Sequence, residues 1–266
     1  MSTTQSRDFI QSLEKGLAVI NSFSQDRAAQ TLSEVAELTG LTRATVRRVL
    51  LTLLELGYVR QANRHFSLTP KVLDLGYSFL SSFHVVELAQ QPMERLVDEV
   101  KESSSMSVLD GSEIVYVARV PTTRIMTIAL ALGSRLPVYP TSMGRVLMSG
   151  ESDQAIDEYI SKTRFERLTS HTITTETGFR EVVAQAREDG YALVDQELEE
   201  GVRSIAAPIK NSRGDVIAAM NVSCHAARVS VDRMRDEFKP RLLAAASEIS
   251  ASASSLVRSD PVRARG

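Results

Sequence analysis

Between Thr31 and Val59 the chain reads TLSEVAELTGLTRATVRRVLLTLLELGYV, and its apolar positions fall into two short helical stripes separated by a break. Leu32, Val35, Ala36 and Leu38 make the first stripe. Gly40 can take the left-handed conformation that ends a helix, and Thr42 can cap the next one. Val46, Val49, Leu50, Leu53 and Leu54 then recur at i, i+3, i+4, i+7 and i+8, so one buried stripe is expected. At about 100° per residue, Ala44, Arg47 and Arg48 face the other way, with Arg43 and Thr45 at the exposed first turn. Gly57 ends this second helix.

Two short alternating runs follow. Tyr58–Gln61 reads as a strand, 62–64 as a turn and His65–Leu68 as a returning strand. A helical hairpin alone is more often a packing unit, but a helical hairpin backed by a β-hairpin is the outline of a winged helix-turn-helix, with Arg60, Arg64 and His65 placed to meet phosphates or a minor groove. Upstream, Ser12–Ile20 predicts a third helix, with Leu13, Leu17 and Ile20 expected to pack on the stripe of the second. Downstream, Thr69-Pro70 is a cap followed by the favoured first helical position. It opens a connector helix to about Ser81 whose apolar residues, Leu73, Leu75, Tyr77, Phe79 and Leu80, read as a dimer contact.

From residue 85 onward the pattern changes to mixed helices and strands. A helix is expected over 86–102, and strands over 103–110, 113–120, 124–132, 191–195, 204–210 and 216–223. A short helix is expected from Ser142, a longer one over 176–188, and a last one from Val231 to Ala253. Antiparallel strands flanked by helices make an α+β domain, not a doubly wound one, and no Gly-rich fingerprint follows a strand. The expected division is therefore 7–70 for the winged helix-turn-helix, 70–84 for the connector, 85–256 for the second domain and 257–266 for a disordered tail.

At 266 residues, 43% hydrophobic and 24% charged, the chain has ordinary globular composition and length for two cores. The single cysteine, Cys224, excludes an internal disulfide or cysteine-rich zinc site. It is expected to be a buried small apolar residue. No secretory signal or long apolar span is evident, so a cytoplasmic protein without a membrane partner is expected. The four histidines are scattered, with no HExxH, GxSxG or Walker pattern, so neither catalysis nor a metal nor a cofactor is expected. Residues 1–70 hold 8 Lys and Arg against 6 Asp and Glu. So small an excess would bind double-stranded DNA weakly as a monomer, which argues for two or more copies acting together.

The runs SLEKGLAVINSF, LTRATVRRVLLTLLELGYV, RLPVYPTSMGRVLMS and DGYALVDQELEEGVRSIAAPI, in this order over roughly residues 10–255, resemble IclR-type transcriptional regulators. The wording RIMTIALALGSRLPVYPTSMGRVLMS is similar to the branch governing protocatechuate, 4-hydroxybenzoate and β-ketoadipate catabolism. The resemblance implies an N-terminal winged helix, a linker helix and a C-terminal GAF-like effector domain that binds a small organic acid. It also implies homodimers, or tetramers as pairs of dimers, on operator DNA.

The residues expected to meet DNA are Thr42, Arg43, Ala44, Thr45, Arg47, Arg48, Arg60, Arg64 and His65. A carboxylate effector needs donors, and a cap at Thr141 or Ser142 would aim the first amides of the helix holding Met143 and Gly144 at an anion. The resemblance places Ser142, Met143, Asp195, Ser204, Asn221 and Ser223 toward the effector. Arg119, Arg124 and Arg135 could each clamp a carboxylate, and Arg135 is favoured as nearest the helix start in sequence. The run Glu197, Glu199, Glu200 reads as an exposed loop. The competing reading is a constitutive DNA-binding adaptor whose C-terminal domain only oligomerises.

Overall fold

The computed structural model describes residues 8–24, 26–122 and 130–255, which divide into two compact units between Ser81 and Ser82. The expected tail and most of the strand expected at 124–132 lie outside the described residues, and 130–132 form no strand.

In the first unit α1 (Gln11–Asn21), α2 (Leu32–Thr39) and α3 (Arg43–Glu55) surround a small core of Val19, Val35, Val46, Leu50, Leu53, Val59 and Phe66. Thr31 and Glu34 close a capping box at the start of α2, with Thr31 N donating to Glu34 Oε2 at 2.6 Å. That backbone bond, with one from the Thr31 hydroxyl, holds the Glu34 carboxyl below its ordinary range. Gly40 ends α2 at φ 65°, and Thr42 caps α3 by accepting from Thr45 N at 3.3 Å. The expected stripe of α3 is buried at Val46, Leu50 and Leu53 and half-buried at Val49 and Leu54. On α1 the outcome differs. Val19 is buried and Ile20 packs beside it, while Leu13 (60% exposed) and Leu17 face solvent, because Leu17 lies about 200° from Val19 on the helix.

Strand β1 (Gln30–Thr31) pairs with β3 (His65–Leu68), which pairs with β2 (Val59–Ala62). β1 was not expected, since two residues carry no period. Ala62 opposite His65 leaves Asn63 and Arg64 as the turn, Asn63 at φ 55°. Thr69 caps a short 3-10 turn, Pro70–Val72, that leads into α4 (Leu73–Ser82).

The second unit is a six-stranded antiparallel sheet in the order β6-β5-β4-β9-β8-β7. Its strands are β4 (Ser103–Asp110), β5 (Glu113–Val120), β6 (Arg135–Pro137), β7 (Ala192–Asp195), β8 (Val202–Lys210) and β9 (Val216–His225). β6 is too short for its alternation to be read from sequence. Helix α5 (Val85–Val100) and the last helix pack together and against β4, β5, β8 and β9. On the opposite face lie α6 (Ser142–Ser149), α7 (Asp153–Lys162) and α8 (Glu176–Asp189), around Ile114, Tyr116, Met143, Leu147, Phe179 and Ala206. Helix α7 went unread, although Ser152 caps it and Ile156, Tyr159 and Ile160 mark its buried side.

The last helix is interrupted. Between α9 (Val231–Arg233) and α10 (Lys239–Ser255), Met234–Phe238 forms a π-helical segment. Pro240 follows at once; it has no N–H to return to the previous turn, and the widened turn accommodates that loss.

Gly144 is a packing requirement. A Cβ there would stand 2.1 Å from the Val138 carbonyl oxygen and 2.6 Å from Thr141 Oγ1. Gly144→Ala is therefore expected to push α6 off the sheet and lower the stability of this unit by about 1–3 kcal/mol in urea titration.

Candidate functional site

The first site is a charged face. The cap Thr42 and Arg43, Ala44, Arg47 and Arg48 on α3 are exposed, as are Arg60, Arg64 and His65 on the hairpin, while Thr45 is half-buried. Thr42 Oγ1 and Thr45 Oγ1 lie 2.9 Å apart, which orders the first turn of α3. None of Arg43, Arg47, Arg48, Arg60 and Arg64 has a carboxylate partner among the described residues. In the second unit Arg95, Arg135, Arg145, Arg187, Arg203 and Arg228 all pair with acids. Free guanidinium groups on a helix and hairpin suit the phosphates and base edges of a duplex.

The second site is a cavity between the central strands and the start of α6. Alternation builds its floor. Ser105 on β4 stands opposite Arg119 on β5 and Asn221 on β9, and Ser204 on β8 stands opposite Ser223 on β9. Each of these five residues lines the cavity, and Tyr116 adds a further polar wall. Ser142 and Met143 reach it from α6, Val194 and Val202 from β7 and β8, and Leu198 from the loop between those strands. It is narrow: about 30 Å³ is open to the centre of a water molecule, room for one or two waters.

Hydrogen bonds hold this wall in place. Arg119 Nη1 donates to Ser105 Oγ at 3.3 Å, Ser105 N donates to Asn221 Oδ1 at 3.1 Å, and Ser142 Oγ and Ser204 Oγ share a bond of 2.8 Å. Ser107 Oγ meets Met143 Sδ at 3.3 Å. Thr141 accepts from Gly144 N at 3.1 Å, so the cap satisfies one of the amides at the start of α6. Burial pushes the Tyr116 hydroxyl up to about 12, with Arg119 opposing the rise. It is a neutral hydrogen-bonding group near pH 7.

Of the residues expected around an effector, Ser142, Met143, Ser204, Asn221 and Ser223 come together here, and three do not. Arg135 sits on β6 with its guanidinium bonded to Glu113 Oε2 and Asp110 Oδ2, both at 2.6 Å, so its charge is already matched. Nearness in sequence to α6 misled, because the strand β6 turns its arginine toward the β4–β5 turn. Asp195 is one residue past the cavity-lining Val194 and so points to the other face of β7, where Arg203 grips both carboxylate oxygens at 2.8 and 2.9 Å. Gly144 serves packing instead of lining. Arg119 is the arginine that does line the cavity, while Arg124 lies outside the described residues. Ser105 and Tyr116 went unremarked, although Ser103, Ser105 and Ser107 alternate in sequence and mark a polar face.

Glu197 corrects another expectation. It is buried, not exposed, and its carboxylate accepts from Arg145 Nη2 at 2.6 Å and from Ile173 N at 3.1 Å. Arg145 is 3% and Glu197 9% exposed at the side chain. The pair ties α6, whose first residues line the cavity, to the loop that carries Leu198. Cys224 lies on the opposite face of β9 from Asn221 and is buried, with its thiol raised to about 12 by burial first and by Glu102 second.

Among the described residues no helix is long and apolar enough to cross a membrane, and no cluster of three metal-ligating side chains occurs. The profile of the IclR helix-turn-helix domain matches residues 12–63, and that of the bacterial transcriptional regulator IclR C-terminal domain matches residues 77–251. The chain belongs to the IclR family of transcriptional regulators. Among IclR-family relatives, it is 41% identical to the Pca regulon regulatory protein of Pseudomonas putida over 91% of this chain and 84% of that one. It is 37% identical to the p-hydroxybenzoate hydroxylase transcriptional activator of Acinetobacter baylyi over 92% of each. A crystal structure of an IclR homologue from Microbacterium hydrocarbonoxydans in complex with 4-hydroxybenzoate superposes with a TM-score of 0.82 at 25% identity, covering 92% of this chain and 99% of that one.

Glu197→Gln leaves the Arg145 cation buried beside a neutral amide. It is expected to cost about 3–5 kcal/mol in urea unfolding, and replacing both residues by apolar ones of similar volume should recover most of that loss.

Proposed function

We propose that this IclR-family regulator controls aromatic-acid catabolism from the cytoplasm, and that the cavity between α6 and the central strands holds its small aromatic-acid effector. The observation that carries this reading is the meeting of one half-buried arginine, Arg119, with serine and asparagine side chains and apolar walls at the start of α6. An aromatic acid needs that combination: a guanidinium for the carboxylate, neutral donors and acceptors for ring substituents, and Met143, Val194 and Leu198 for the ring. The names of the two relatives and the 4-hydroxybenzoate held by the homologue support the same class of ligand. Since the cavity is narrow, the ligand takes its place as side chains on α6 and the 196–201 loop shift outward.

On the DNA side, α3 reads the major groove with Arg43, Ala44, Thr45, Arg47 and Arg48, and the hairpin brings Arg60, Arg64 and His65 to the flanking backbone or minor groove. The active species is a homodimer or a pair of dimers. Exposed apolar residues support this, with Leu73 70% and Tyr77 69% exposed on α4 and Leu13 and Leu17 uncovered on α1. Effector binding would change how paired α4 helices are held and thereby the spacing of two reading heads, a coupling of about 1–3 kcal/mol.

Two experiments test this. Saturating 4-hydroxybenzoate or protocatechuate should raise the melting temperature, with a stabilisation of about 2.7 kcal/mol when the ligand is at 100 times its Kd, and should alter operator affinity. No shift across a panel of aromatic acids, with unchanged DNA affinity, would support a constitutive adaptor instead. Arg47→Ala and Arg48→Ala should each weaken operator binding in anisotropy titrations at fixed salt. An arginine that reads guanine loses about 1–3 kcal/mol of discrimination at one base pair, whereas one that meets phosphate weakens all sequences alike.

A further inference from the structure

Among the described residues, the charge of the cavity rests on one side chain. Of the described residues that line it, Arg119 alone carries a full charge; no aspartate, glutamate, lysine or histidine joins it. Tyr116, the other titratable group on the wall, stays neutral at physiological pH because burial raises its hydroxyl. Among the described residues Arg119 pairs with no acid, only with the Ser105 hydroxyl. Other arginines near the same sheet are spent on carboxylates of the chain, Arg135 on Asp110 and Glu113, Arg203 on Asp195 and Arg145 on Glu197.

The two ends of the cavity differ in kind. Arg119 belongs to β5, and Ser204 belongs to β8, three strands away across β4 and β9. That is about 14 Å between backbones, which the long arginine side chain shortens to the scale of one ring. At the far end the Ser142 and Ser204 hydroxyls bond each other, with Ser223 in register beside Ser204. Each hydroxyl can donate or accept, but none carries charge.

We propose that this cavity selects acids with a single carboxylate opposite a neutral hydroxyl, and rejects dicarboxylates. The inference rests on the effector reading above and sharpens it. Arg119 takes the carboxylate, and the hydroxyl enters the Ser142–Ser204 pair, where it can accept from one serine and donate to the other. A monoanion neutralises the cavity. A dianion leaves a second carboxylate at the serine end with no cation among the described lining residues, and hydroxyl donors do not offset the loss of its hydration.

The test is isothermal titration of the full-length protein with four probes: 4-hydroxybenzoate, 4-hydroxybenzamide, terephthalate and β-ketoadipate. Terephthalate keeps the ring and the first carboxylate and exchanges only the hydroxyl for a second carboxylate. The expected result is that 4-hydroxybenzoate binds and both dicarboxylates bind about 100-fold more weakly or not at all. Arg119→Met should weaken 4-hydroxybenzoate by about 100-fold while leaving the neutral amide within about threefold. A variant that had merely lost the shape of the cavity would weaken acid and amide together, and that result would overturn the role of Arg119. A dicarboxylate binding as tightly as 4-hydroxybenzoate would overturn the charge rule alone. Failure of all three acids to bind would overturn the effector reading together with the rule.

Discussion

A strand sends consecutive side chains to opposite faces, and in the second unit helices cover both faces of the central strands. A polar residue midway along β4, β5, β8 or β9 is therefore committed to the interior and must find partners there. One face is satisfied by apolar packing, with Met106, Ile205, Met220, Val222 and Cys224 buried. The other carries Ser105, Arg119, Ser204, Asn221 and Ser223. Ser105, Arg119 and Asn221 bond to one another and Ser204 bonds to Ser142 at the start of α6, and the gap left beneath the helix is the cavity. Its location is a consequence of where alternation and helical cover coincide.

Charge is distributed by the same economy of partners. Most of the arginines on the sheet edges and surface helices of the second unit are matched by acids of the chain itself, some in bidentate geometry. Among the described residues, Arg119 in the cavity and the five arginines of α3 and the hairpin have no acid partner. The first lines a cavity and the five lie on a helix and hairpin face, surfaces that suit a carboxylate in one case and a phosphate backbone in the other. The modest net charge of residues 1–70 conceals this, because net charge counts the capping Glu34 equally with the free Arg47.

The Arg145–Glu197 pair shows how buried charge can position a binding wall. Arg145 lies one turn after the cavity-lining Ser142, and Glu197 precedes the cavity-lining Leu198. Glu197 also accepts from the Ile173 amide, and the Thr172 hydroxyl donates to its carbonyl oxygen at 2.7 Å. Two walls that are distant in sequence are thus held by one ion pair and its hydrogen bonds. Gly144, the residue before Arg145, lets the helix approach the Val138 carbonyl.

Local periodicity alone was enough to read α2, α3, the hairpin, β4, β5 and α8, because each has a cap, a turn residue or an alternation written into consecutive positions. The outward set on α3 was legible for the same reason: a helix of known pitch with one apolar stripe leaves its other face determined. The family resemblance pointed to Ser142, Met143, Ser204, Asn221 and Ser223, and the fold brings these five to one cavity. What periodicity could not determine was any relation across the sheet. Arg135 and Arg119 are equally plausible clamps as letters; only strand order and register put the first against Asp110 and Glu113 and the second beside Ser105 and Asn221. Asp195 was lost to a one-residue step, which on a strand reverses the face. Glu197 read as a solvated loop because its partner, Arg145, lies 52 positions earlier. The chain by itself determined its helices, its hairpin and the chemistry available to it. Tertiary structure decided which of its charges were already neutralised, since that depends on distances between strands and helices that no local period encodes.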